Sequence, residues 1–243
     1  MKRTLWIVLL AAAVFTAIFI ARVPASWVIP SRTAHSCASL EGSLWSGTCT
    51  GLSVSGRPLG DVSWDLEPWR LLVGKLAAAV AATHGVAEAT ADVELGFGGR
   101  LSARNLVADL TLDPQLIPGV PPGLHGRAHL DLSLVTLQHG IVTQLQGRIE
   151  AHDLEERSGT NTALGSYVIS FAGGSGDPIG KIRDLDGPLA VEGTLRLTNA
   201  PGFELEGFVA PRQGASPEVV NNLRFFGSPD ASGRRPFSMS GTF

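Results

Sequence analysis

Charge is scarce in this chain: 19 lysines and arginines and 22 aspartates and glutamates among 243 residues, a charged fraction of 17% and a formal net charge of −3. That balance builds no basic field to draw nucleic acid over a distance, so nucleic acid is not an expected partner. Cysteine is limited to two residues, methionine to two and tyrosine to one. The phosphate-binding loop, the dinucleotide fingerprint and the nucleophile elbow are missing; Gly96 and Gly98 flank Phe97 with no third glycine and no following helix pattern. No catalytic residue, cofactor or metal is therefore expected. Long polar tracts are missing too, and with 44% hydrophobic residues the chain is expected to fold.

What the chain does have is one long apolar run at its start. Lys2 and Arg3 precede 18 uncharged residues, 4–21, which include Leu5, Trp6, Ile7, Phe15, Ile18, Phe19 and Ile20, and Arg22 closes the run. As a helix it would measure roughly 27 Å, close to the ~30 Å hydrocarbon core of a bilayer. It lacks the polar face of a helix packed on a soluble core. Positive charge ahead of it predicts a cytoplasmic N-terminus and export of the chain beyond the run. Residues 1–25 are thus read as a cytoplasmic tip and transmembrane anchor, and 26–243 as one exported domain. The competing reading is a signal peptide cleaved after Ala25, because Val23, Pro24 and Ala25 offer small residues at a suitable point; the apolar cores of such peptides, roughly 7–15 residues, are shorter than this run.

Export makes a disulfide the default for Cys37 and Cys49. Closing that short loop would constrain the unfolded chain by about 3 kcal/mol. A metal site there would need further ligands and only His35 is near; the spacing is not that of a redox motif.

From residue 40 onward the dominant pattern is alternation of period two, the mark of half-buried strands. Leu124, Ala128, Leu130, Leu132 and Leu134 share one parity, with His125, Arg127, His129 and Asp131 on the other. With the turn at His139 and Gly140, residues 124–151 form a hairpin, and 191–197 with 203–209 form a second. Six copies of a unit with glycine between two apolar residues are centred on Gly42, Gly126, Gly147, Gly193, Gly207 and Gly241. Their uneven spacing predicts a long antiparallel meander, and glycine on the face away from the core would let the sheet coil strongly. The expected fold is mainly β: a strongly coiled meander, one N-terminal transmembrane helix and one or two short helices. Residues 74–83 set alanine's helix propensity against strand alternation and are read as strand. One helical turn is expected over 67–73, with Pro68 early, and a helix over 217–226, capped by Ser216 and ended by Gly227. His125 and His129 lie about 13 Å apart along a strand, too far to share one ion. Trp45, Trp64 and Trp69 are expected to pack inside, with a membrane-proximal contact surface as the sharper alternative.

Several of these residues also form an ordered set. Val23, Pro24, Ala25, Ser26 and Trp27 are followed by Gly42, Trp45 and Gly47 in a G-x-x-W-x-G block, then by Gly60, Trp64, Pro68, Leu71, Leu72 and Gly74, and the chain closes through Gly227 and Gly241. In that order after an apolar run, the set resembles the type II secretion system protein N family, with a more distant resemblance to AsmA-like envelope proteins. The resemblance implies a non-enzymatic, single-pass component of the Gram-negative inner membrane with its bulk in the periplasm, assisting assembly or stability of the machine that exports folded proteins. Its implied partners are the inner-membrane bilayer and other inner-membrane components of that system. The AsmA-like alternative implies lipid held in an apolar β-groove. Neither supplies a catalytic residue to carry over.

Overall fold

A computed structural model describes residues 22–28, 35–54, 57–115, 120–158, 161–174, 176–199 and 202–242. Among these, fourteen strands join in a single antiparallel sheet. They are β1 (His35–Ser36), β2 (Ser39–Gly42), β3 (Ser46–Val54), β4 (Arg57–Leu66), β5 (Leu76–Thr83), β6 (Ala87–Leu95), β7 (Arg100–Leu112), β8 (Leu124–Gln138), β9 (Ile141–Glu156), β10 (Thr162–Ala172), β11 (Ile179–Asp186), β12 (Leu189–Thr198), β13 (Gly202–Pro211) and β14 (Arg235–Thr242). From β3 to β14 each strand pairs with the next in the chain, while β1 and β2 both lie along β3. Four short helical pieces complete the described chain: α1 (Ala25–Val28), a 3-10 turn (Pro68–Val73), α2 (Pro217–Asn222) and a second 3-10 turn (Leu223–Phe225).

The sheet is open, and contact between strands that are not neighbours is slight. The expected strong coiling is corrected accordingly: the sheet is neither closed nor strongly curled. The expected anchor, with Leu5, Trp6, Ile7, Phe15, Ile18, Phe19 and Ile20, lies outside the described residues; among the described ones, no helix is long and apolar enough to cross a membrane.

Alternation puts the apolar side chains on one face. Ile149, Ile169 and Ile182 stand side by side on β9, β10 and β11, and the same row continues through Gly193 and Gly207 to Phe237 on β14. At the centre of this face Leu132, Leu145 and Phe171 are buried, ringed by Leu106, Leu130, Val135, Ile149, Ile169 and Leu195. Among the described residues no second sheet layer covers this face.

That row overturns the expected place of the glycines. In a unit with glycine midway between two apolar residues, all three have the same parity, so glycine lies on the apolar face. There the absence of Cβ makes room for a neighbouring ring. Trp64 pairs with Gly47, Phe171 with Gly180, Phe203 with Gly241 and Phe237 with Gly207. A Cβ at any of these glycines would lie between 2.6 and 2.8 Å from the ring of its partner, well inside the ~3.5–4.0 Å of ordinary carbon contact. Aromatic cover of this kind restores the apolar area that glycine withholds from a sheet.

The predicted hairpins form as β8–β9, turning at His139 and Gly140, and as β12–β13. Residues 76–83 are strand β5, because the sheet on both sides supplies ladder partners that alanine's helix propensity cannot offset. The early Pro68 turn also forms, as a 3-10 piece. The 217–226 helix forms in two pieces; the Ser216 hydroxyl accepts from the Val219 N–H, and Val219 and Leu223 are buried.

Candidate docking surface at the N-terminal end of the sheet

The chain joins the sheet at Val23. Its carbonyl accepts the Leu44 N–H at 2.9 Å, Pro24 forms a β-bridge with Ser43, and Ala25 at the start of α1 is only 1% exposed. Ser43 shapes the β2–β3 turn, its hydroxyl accepting from the Trp45 and Ser46 N–H groups at 3.2 Å each. Gly42 opens that turn at φ +94°, where a Cβ would lie 2.5 Å from the Ser46 carbonyl. Trp64 donates its indole N–H to the Leu44 carbonyl at 3.1 Å while its ring lies over Gly47. The Trp45 carbonyl accepts the Leu66 N–H, so the same corner runs straight into the β4–β5 connection.

That connection is built as a projection. Pro68 sits where its missing N–H has no helical partner to lose. Gly74 ends the turn in the left-handed region, φ 73°, with its N–H on the Leu71 carbonyl at 3.0 Å. The Phe97 ring, from the β6–β7 hairpin, occupies the space a side chain at 74 would need: a Cβ there would lie 1.8 Å from the ring. At the base, Arg70 bridges Glu67 at 2.8 Å and Glu94 at 3.0 Å, and Lys75 reaches Glu94 at 2.7 Å. The Lys75 ammonium donating to Glu94 is the chief reason its carboxyl is held below the usual range, opposing the effect of burial. The Arg70 guanidinium also lies 4.8 Å above the Trp69 ring.

Outside this base the projection is apolar and uncovered by any described residue. Leu72 is 90% exposed, Phe97 84%, Val73 65% and Trp69 60%. Leu71, Leu76, Leu95 and Phe97 border an open depression of about 330 Å³ beside it. Against the expectation that the tryptophans pack inside, Trp69 is exposed, while Trp45 and Trp64 are half-buried. The remaining residues of the ordered set serve the architecture elsewhere. Gly60 lies at the opposite end of β4, where a Cβ would be 2.4 Å from the Thr83 carbonyl; Gly227 lies against Pro236 and Gly241 beneath Phe203. Leu71 and Leu72, adjacent in sequence, are both exposed.

Cys37 and Cys49 are bridged, their Cα atoms 5.5 Å apart, which ties the segment between β1 and β2 to β3. On the polar face of the sheet, His129 pairs with Asp109 at 2.8 Å and His152 with Glu150 at 3.1 Å, beside the Arg127–Asp153 ion pair. Each of these two histidines has its own carboxylate, and no group of three His, Cys, Asp or Glu among the described residues is placed to hold a metal ion. His125 lies across from Glu155 on β9, separate from His129, which lies across from Glu150.

The family model for type II secretion system (T2SS), protein N, matches residues 34–238, from just before β1 into β14. The chain belongs to the type II secretion system protein N family. A curated family member, type II secretion system protein N of Vibrio cholerae serotype O1, is 23% identical over 251 aligned residues, covering 99% of each chain. No solved structure matches. In the terms of this protein N family, the match runs from β1 through β13 into the first half of β14, and the projection at the 3-10 turn lies inside it.

Proposed function

We propose that this chain is a non-enzymatic component of the type II secretion system, held at the Gram-negative inner membrane by residues 4–21 with its sheet in the periplasm. There it assists assembly or stability of the machine through contacts with other inner-membrane components. The observation that carries this reading is the family match over residues 34–238, which takes in nearly all of the sheet. Retention of the anchor, against cleavage after Ala25, is supported by Val23, Pro24 and Ala25 being built into the β2–β3 corner. Cleavage there would take the Val23 carbonyl and the Pro24 bridge away from that corner.

The test is affinity purification of the full-length protein from gently solubilised inner membrane, with mass spectrometry of proteins and lipids. Co-recovery of secretion-system inner-membrane components is the expected result. A second reading, lipid held on the apolar face, is favoured by the uncovered row from Ile149 to Phe237. Stoichiometric lipid without those protein partners would replace the first reading with the second.

A further inference from the structure

We infer that the apolar projection formed by Trp69, Leu72, Val73 and Phe97 is a second membrane contact, seated in the headgroup and acyl boundary of the bilayer that residues 4–21 enter. The inference rests on the proposed retained anchor. Three observations support a bilayer as the occupant.

The first is how closely the apolar run is tied to the projection. The run stops at Arg22, and Val23 is already bonded to Leu44. From there Trp45 bonds Leu66, and Leu66 leads into the 3-10 turn. With about 4.8 Å between adjacent strands, the exit of the run and the projection are on the order of 15 Å apart. A short, bonded lead of this kind holds the end of the sheet close to the membrane surface. The β6–β7 hairpin carrying Phe97 turns at the same end, because Leu95 pairs with Leu76 at the start of β5.

The second is the construction of the projection. Its exposed side chains are not a loose loop: the Phe97 ring interlocks with Gly74, and the Glu67, Arg70, Glu94 and Lys75 charges brace its base. A rigid apolar tip with charges behind it has the layered order of a protein segment at a bilayer interface, where tryptophan and arginine sit at headgroup depth and aliphatic groups below. Trp27, on α1 just after Arg22, is 70% exposed.

The third is charge. At the base of the projection Arg70 and Lys75 are paired with Glu67 and Glu94, two charges of each sign, so little net charge remains there. An acidic or basic protein partner finds no complementary field here, whereas insertion driven by apolar burial needs none.

The test uses full-length protein in proteoliposomes of phosphatidylethanolamine and phosphatidylglycerol, with no other protein present. An environment-sensitive fluorophore is attached at Leu72→Cys or, as a second probe, Val73→Cys; the bridged Cys37 and Cys49 leave one reactive thiol. The reference probe is Phe225→Cys, 91% exposed near the other edge of the sheet. Flotation and resistance to alkaline extraction report the anchor independently. The expected result is quenching at positions 72 and 73 by lipids brominated high in the acyl chain, about threefold or more above that at 225, as burial of roughly 5–10 Å requires. The quenching should persist from about 0.05 to 0.5 M salt. Protein that floats and resists extraction, with probes at 72 and 73 as aqueous as the one at 225, overturns the second contact and leaves the anchor standing. Protein that does not float overturns the anchor, and the inference with it.

Discussion

Gly180→Ala tests the pairing of aromatic rings with glycine at the point where it meets the core. Gly180 on β11 lies beneath Phe171, which is 3% exposed and belongs to the central cluster. A Cβ at 180 would lie 2.7 Å from Phe171 Cε1, 2.8 Å from its Cζ and 2.7 Å from Ile169 Cγ2. Reaching ordinary contact requires the ring or the strand to move by about 1 Å, and overpacking of that kind costs about 1–3 kcal/mol. Removing glycine from a strand interior returns about 0.5–1 kcal/mol of backbone entropy. The expected net loss therefore lies within roughly 0–2.5 kcal/mol, centred on about 1.3 kcal/mol, read as a lower urea midpoint with an unchanged slope. Combining Gly180→Ala with Phe171→Leu should destabilise by about 1 kcal/mol less than the sum of the two single changes. Gly96→Ala is the control, since its Cβ would meet nothing closer than the Arg100 carbonyl at 3.8 Å, and it should stay within about 0.5 kcal/mol of the parent. A Gly180→Ala protein more stable than the parent, or strictly additive single and double changes, would refute the argument.

Other contacts set three further expectations. Replacing Cys37 and Cys49 together by alanine should lower stability by about 3 kcal/mol in urea unfolding; recovery of both thiols in free form after non-reducing alkylation would remove the bridge from the account. Tyr167 is the only tyrosine, and its phenol donates to the Leu164 carbonyl at 2.7 Å; burial first, then the Asp184 charge, push its pKa up to about 12. Because the folded value is raised, the contribution of Tyr167 to stability is intact below the ordinary value of 10.0 and lost as pH rises toward about 12. Phenolate absorbance at a midpoint near 10 in still-folded protein would contradict this. Glu94 works in the opposite direction: its depressed carboxyl adds stability above the ordinary value of 4.5 that is lost as pH falls through the folded value. Glu94→Gln should therefore flatten the acid side of the stability profile measured by urea midpoints, and an unchanged acid slope would show that the bracing charges contribute nothing.

Much of the sheet was legible because strand parity is a local property. Leu124, Ala128, Leu130 and Leu132 announce β8 by themselves, and His139 with Gly140 announces its turn. The pattern misleads after Leu132, where a register shift in the β8–β9 ladder lies between Leu132 and Leu134. Val135, of the other parity, then packs on the cluster with Leu132. An irregularity of one residue leaves no composition signal, so only the ladder reveals it. The partners of the glycines were equally hidden. The unit around Gly207 shows that glycine shares the apolar face, but not that Phe237, thirty residues on, supplies the ring. For the docking surface, Pro68 and Gly74 mark a turn and its end, while the exposure of Trp69 and Leu72 depends on what the rest of the fold leaves uncovered. The ordered set of motif residues pointed to the family before any geometry did, yet it treated as one group residues at opposite ends of the sheet, Gly60 and Gly74 among them.

The strand order has a consequence for how such a sheet takes shape as its chain emerges. From β3 to β14 each new strand finds its template in the strand just before it, so no segment has to wait for a distant one. Sequence-local pairing of this kind keeps contact order low for an all-β protein and suits stepwise growth from the first emerged edge. A chain emerging from its N-terminal side lengthens its sheet one strand at a time, beginning at β3.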